Sequence, residues 1–232
     1  MPEADRPRQL PLDLSHSEGR SRDHLVVSDA NAAAVALIDR WPDWPSPLVV
    51  LAGPAGSGKS HLGAIWREMS GASAIDRRHI EAAVGAAGPA ASFLVDDADG
   101  PGLDETGLFH AANAVRAAGS HLLVTARRFP SAWGVALPDL ASRLKAAATV
   151  EIREPDDLLL AGVISKLFAD RQVEVEPHVV QFLVRRIERS LATAIRVVDK
   201  LDSAALEQRT RISRSLAGEI VSAMDEGQGE LF

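Results

Sequence analysis

The chain contains no cysteine and no tyrosine. The first absence excludes disulfides, Cys-ligated zinc, iron–sulfur clusters and thiol nucleophiles. Aromatic residues make up only 4% of the 232 residues. Much of the apolar content is alanine, which favours tightly packed helices. No apolar run reaches the ~18 residues that a membrane helix requires. The first 23 residues lack the apolar stretch of a secretory signal. A cytoplasmic protein with no membrane partner is therefore expected. Positive charge is also in deficit, with 25 Lys and Arg against 32 Asp and Glu for a net charge of -7. Direct sequence-specific DNA binding is not expected, because DNA affinity rests largely on cations against phosphates.

What is present suits a globular protein, with 46% hydrophobic and 25% charged residues. The length allows one α/β domain with a small helical appendage. Residues 1–22 are rich in Pro, Arg, Ser and acids and read as a tail. Within residues 23–154, continuous apolar runs at 48–52, 92–95 and 121–125 have the texture of strands buried on both faces of a parallel sheet. Shorter strands are expected at 73–75 and 149–152. Helices are expected up to about Arg40, at 59–69, at 103–118 and at 137–147, the first capped by Ser28 or Asp29. The pattern is that of a doubly wound α/β fold. From 155 to 224 strand signals cease and four helical segments follow, 156–171, 177–188, 191–208 and 213–224. Residues 225–232 read as a second tail.

Gly53-Pro54-Ala55-Gly56-Ser57-Gly58-Lys59-Ser60 fits the phosphate-loop pattern G-x-x-x-x-G-K-[ST] and lies between a predicted strand and helix, as the mechanism needs. Glycines let consecutive N–H groups turn toward phosphate oxygens, and the helix N-terminus adds its positive dipole end. Lys59 is expected to reach the terminal phosphates and Ser60 to ligate Mg²⁺. His61 adjoins the loop, with packing or capping as its alternative role. Asp96-Asp97 close a downstream strand. Asp96 is expected to hold the Mg²⁺ shell and Asp97 to orient or deprotonate an attacking water. The ligand expected is ADP or ATP.

These motifs, with Thr125 ending a later strand, Arg143 on a short helix, and a helical lid containing Arg189, resemble the AAA+ ATPases, and specifically the DnaA branch, over about residues 22–224. The resemblance implies an AAA+ P-loop NTPase core with a parallel sheet and a C-terminal α-helical lid subdomain. It implies that Val26 and Val27 line the adenine pocket, that Thr125 is sensor 1, Arg189 sensor 2, and Arg143 an arginine finger. A surface ion pair with Asp139 is the other reading of Arg143. Arg127 stands where the family usually has an Asp. Only a short tail follows the lid, so the helix-turn-helix domain of the initiators is not expected. A module of this kind resembles the Hda family, which implies a regulator that promotes hydrolysis of initiator-bound ATP while attached to the replicative sliding clamp.

The N-terminal tail carries a separate signal. Gln9, Leu10, Leu12 and Leu14 follow Q-L-x-L-x-L, similar to the family's clamp-binding peptide. An extended peptide can seat such a Gln in a polar notch and alternate leucines in an apolar groove. Gln228–Phe232 resembles a shorter clamp peptide. The partners implied are a DnaA-type initiator, the DNA polymerase III beta sliding clamp, and further copies of the chain in a head-to-tail contact. A DNA-associated loader or transposition helper is the alternative, with Arg185, Arg186, Arg209, Arg211 and Arg214 as its candidate DNA contacts. A pure adaptor with a structural nucleotide is the third reading.

Overall fold

A computed structural model describes residues 22, 25–88 and 90–229, and side chains as far as Asp225. The Gln9–Leu14 peptide and the last three residues lie outside the described residues.

Five strands form one parallel sheet: β1 (Leu48–Ala52), β2 (Ser73–Ile75), β3 (Phe93–Val95), β4 (Leu122–Ala126) and β5 (Ala148–Glu151). Their spatial order is β2-β3-β4-β1-β5. Every residue of β1 and of β4 is buried, which is why these segments read as unbroken apolar runs. Alternation along β1 sends Val49 and Leu51 to one face, under α1 (Ala32–Asp39) and α2 (Lys59–Ser70). Leu48 and Val50 face the opposite way, toward α3 (Ile80–Ala86), α4 (Glu105–Ala118) and α5 (Pro138–Lys145).

The lid has its own core. Leu160, Ile164 and Phe168 of α6 (Asp157–Asp170) meet Leu183 of α7 (Pro177–Arg186), Val197 and Leu201 of α8 (Leu191–Gln208), and Ala217 of α9 (Arg214–Gly229). Asp156 and Ser190 cap α6 and α8, each accepting from the backbone N–H three residues on. No described helix is long and apolar enough to cross a membrane.

Three local features differ from the sequence expectation. The N-cap of α1 is Asn31, not Ser28 or Asp29. Upstream, Ser28 Oγ accepts from Ala30 N–H and Asn31 Oδ1 accepts from Ser28 N–H, so these side chains build a turn instead. Helix α3 was not anticipated, because its Ala- and Gly-rich sequence buries only Ile80 and so carries little periodicity. Helix α9 continues past Met224 to Gly229.

Helices α3 and α4 meet at their N-termini through one carboxylate. Asp104 Oδ1 accepts from Gly107 N–H at 2.8 Å and Oδ2 from Glu81 N–H at 2.9 Å. A Cβ at Gly107 would lie 2.2 Å from Asp104 Oδ2 and 2.4 Å from Glu81 N. Gly107→Ala is therefore expected to cost about 1–3 kcal/mol by overpacking. At Gly85, where a Cβ meets nothing within 4 Å, Gly85→Ala is expected to be neutral or stabilising. Urea unfolding of the two variants checks the contrast.

Candidate functional site

Parallel register brings three chain segments to one level at the C-terminal edge of the sheet. Val95 pairs with Val124, and Leu51 with Thr125. Asp96 thus emerges level with Thr125, and Gly53 two steps beyond. Gly53 N–H donates to Ala126 O at 3.1 Å, fastening the start of the loop to β4. The chain leaves β1 toward β2 on one side and later crosses from β4 over to β5 on the other. This reversal opens the crevice where α/β sheets bind ligands.

The loop 53–60 wraps the mouth of that crevice. Its glycines are required by close approach. A Cβ on Gly53 would sit 2.0 Å from Ile152 O, and one on Gly56 would sit 2.1 Å from Ser190 Oγ. Gly58, the N-cap of α2, has φ 99°, a left-handed conformation suited to glycine. Among the described residues, the N–H groups of Gly56, Gly58, Lys59 and Ser60 have no protein acceptor. Lys59 is 8% exposed. Its Nζ donates to Pro54 O at 2.6 Å and to Ser57 Oγ at 3.4 Å, both neutral acceptors. Burial lowers its pKa below the ordinary lysine value, against the opposing pull of Asp96. Unpaired amides around a buried cation form a cradle fitted to an anion such as a polyphosphate.

Beside the cradle, Ser60 Oγ donates to Asp96 Oδ1 at 3.0 Å, and Thr125 Oγ1 donates to the same oxygen. Two hard oxygens at one point suit Mg²⁺, which takes few protein ligands and completes its shell with water and phosphate. No cluster of three His, Asp or Glu side chains suited to a metal occurs among the described residues. Thr125 Oγ1 also accepts from Asp97 N–H at 2.9 Å, so one hydroxyl orders both acids.

Asp97 adopts a left-handed conformation, φ 53°. Its carboxylate lies between two guanidiniums, Arg77 at 3.3 Å and Arg127 at 3.4 Å. Arg127 is thus a partner of Asp97. The next acid, Asp99, accepts from the N–H groups of Arg127 and Arg128 at 2.8 and 3.1 Å, and from Arg128 Nε at 3.1 Å. Burial pushes its pKa up, but these donors outweigh burial and hold it below the ordinary carboxylate value. Sequence reading missed Arg77 and Asp99. Their signal lies in pairing between loops, not in any local motif.

The other expected residues are dispersed. Val26 is half-buried against Gly162 of the lid, with its carbonyl held by Asn31 Nδ2 at 2.9 Å. Val27 is exposed, and His61 is half-buried in the first turn of α2. Arg189 turns to the start of α6, pairing with Asp157 at 2.7 Å and donating to Pro155 O at 3.3 Å. The lid nevertheless touches the cradle, since Leu191 N–H donates to Gly56 O at 2.8 Å. Arg143 is half-buried on α5 and has neither an ion pair, with Asp139 or any other acid, nor a side-chain hydrogen bond among the described residues. Of the lid arginines, Arg186 and Arg214 both lie over the ring of Phe182.

Comparison with known proteins bears on the helical lid and on the fold. Residues 163–217 match the family described as the Hda lid domain. The fold is that of domain III of the replication initiation protein DnaA from Thermotoga maritima, with TM-score 0.74 at 16% identity over 89% of this chain and 97% of that one. AMPPCP-bound DnaA from Aquifex aeolicus superimposes with TM-score 0.67 at 16% identity, over 82% of this chain and 67% of the other. An uncharacterised protein of Haemophilus influenzae is 29% identical over 110 residues, 47% of this chain. That match spans 48% of the relative, about half of its length.

The buried ammonium has a measurable consequence. Its pKa is lowered in the folded state, so the unfolded chain binds more protons between that value and the ordinary lysine value of 10.5. Stability of the nucleotide-free protein is therefore expected to gain a contribution as pH rises through that window. Lys59→Met is expected to abolish that contribution and to raise stability at neutral pH. Urea unfolding of both proteins across the window tests this.

Proposed function

We propose that this chain, with an Hda-type lid on a DnaA-like AAA+ fold, is a regulator that acts on a DnaA-type initiator and promotes hydrolysis of the initiator's bound ATP. The observation that carries the reading is the lid match at residues 163–217, set on a core that superimposes on DnaA domain III. In this reading the chain binds ADP or ATP. The amides of Gly56–Ser60 and the Lys59 ammonium take the phosphates, Val26 and Val27 flank the base, and Ser60 with Asp96 offers oxygens to Mg²⁺.

Two features support a regulatory rather than a self-hydrolysing role. Both oxygens of Asp97 are paired with arginines, which leaves neither free to engage an attacking water. Arg143, with no partner in its own chain among the described residues, is available to a neighbouring subunit. Donated across a head-to-tail AAA+ contact, its guanidinium stabilises charge that develops on a transferring phosphoryl group. Arginine fingers of this kind contribute about 10³–10⁵ in rate in other NTPases. The Gln9–Leu14 peptide is the proposed tether to the beta sliding clamp, which brings the chain to replicating DNA in the cytoplasm.

The decisive assay follows hydrolysis of labelled ATP on a DnaA-type initiator, with this protein added and with or without clamp loaded on DNA. Stimulation that needs both is expected. Salt-dependent binding of this protein to DNA, without stimulation, would instead identify a DNA-associated loader. Lys59→Ala is expected to abolish ADP binding in calorimetry. Arg143→Ala is expected to leave ADP and clamp binding unchanged and to remove stimulation. Arg143→Lys is expected to fail as well, since an ammonium lacks the planar multi-donor fork. Replacing Gln9, Leu10 and Leu12 by Ala is expected to weaken capture by immobilised clamp sharply. Full stimulation by Arg143→Ala would refute the finger role.

A further inference from the structure

Helix α5 carries Arg143 near its C-terminal end, and its start has no cap of its own. Its N-cap, Leu137, makes no side-chain cap, and Pro138 at the first position has no N–H to anchor. Leu140 and Leu144 are buried against α4, which fixes the rotation of α5 about its own axis. In the segment leading into it, Trp133, Val135 and Leu137 are only partly buried against the same core. A cavity of about 240 Å³, lined by Ala98, Gly102, Leu103, Glu105, Trp133 and Val135, separates that segment from the loop that follows Asp97.

One side chain bridges this gap. Glu105, in the first turn of α4, directs both carboxylate oxygens at the backbone leading into α5. Ala136 N–H donates to Oε1 and Oε2 at 3.1 and 3.0 Å, and Leu137 N–H donates to Oε2 at 2.8 Å. An acid held against consecutive amides at a helix start satisfies donors the helix cannot satisfy itself and complements its dipole. It comes from a different helix, so it fixes where α5 begins relative to α4. Glu105 belongs to neither the phosphate loop nor the acids at the end of β3.

We infer that Glu105 is the positioning residue of the arginine finger, setting the place of α5, and hence of Arg143, at the contact with the initiator. The inference rests on the finger reading of Arg143. A finger must meet a developing charge with sub-ångström accuracy, and a misplacement of about 1 Å can cost on the order of 100-fold in rate. Glu105 touches no substrate and acts through the backbone of residues 136 and 137.

The test uses the full chain, the clamp-loaded assay and hydrogen exchange. Glu105→Ala is expected to lower the maximal rate of initiator-bound ATP hydrolysis by about 10- to 100-fold. The half-saturating initiator concentration and ADP binding are expected to stay unchanged, and exchange at the amides of Ala136 and Leu137 to become faster. Glu105→Gln, which keeps one acceptor oxygen and the same length, is expected to restore part of the rate. In an Arg143→Ala background, Glu105→Ala is expected to cause no further loss, because both act through one group. A further loss in the double variant, or unchanged exchange at residues 136 and 137, would overturn the assignment. Loss in Arg143→Ala with none in Glu105→Ala overturns the role of Glu105 alone. No loss in Arg143→Ala overturns the finger reading and the positioning role together.

Discussion

The parallel pairing of β4 with both β1 and β3 determines where every group of the site stands. Because Val124 faces Val95 and Thr125 faces Leu51, the residues that leave the sheet next arrive at a common edge. The Thr125 hydroxyl can then hold Asp96 and receive the amide of Asp97. Gly53 can fasten to Ala126 only in this register. A slip of one residue would turn Thr125 away and bury a polar side chain on the wrong face. The burial of all five residues of β1 and of β4 makes such a slip costly, so apolar packing in the sheet secures a polar arrangement at its rim.

Charge around the crevice follows from the same geometry. A buried ammonium with neutral acceptors faces an acid shared by two hydroxyls, and two further acids are neutralised by arginines from neighbouring loops. Arg77 and Arg127 occupy Asp97, while Arg128 and two backbone amides occupy Asp99. The cradle is therefore the place where unsatisfied positive potential accumulates. An anionic ligand is drawn to the loop amides and Lys59 rather than to the arginines, which are already paired.

The parts of this arrangement that were legible in the sequence are those encoded within a short window. The phosphate loop, the buried strands β1, β3 and β4, and the helices of the lid each declare themselves within a dozen residues or so. Asp96 and Thr125 could be placed because each ends an apolar run. What escaped notice depends on contacts between distant loops. Arg77 meets Asp97 across 20 residues, Asp99 meets Arg128 across 29, and Glu105 meets Leu137 across 32. None of these partners has a periodicity or spacing that marks it. Helix α3 was missed for a different reason, since a short helix with one buried residue leaves no apolar stripe. Asn31 displaced the expected cap of α1 because the turn before it engages Ser28 first.

The hydrogen bond from Leu191 to Gly56 O joins the tip of the phosphate loop to the first residue of α8. That helix has 18 residues, which at 1.5 Å of rise each gives a rod roughly 27 Å long. A rod pinned at one end is a lever. A tilt of about 5° at Gly56 displaces the far end of such a rod by roughly 2 Å. The contact is a backbone carbonyl of the loop itself, so a change in the loop backbone reaches α8 with no side chain between. Because α8 is packed into the lid core, a turn of the lid about this contact would be magnified at its distal surface.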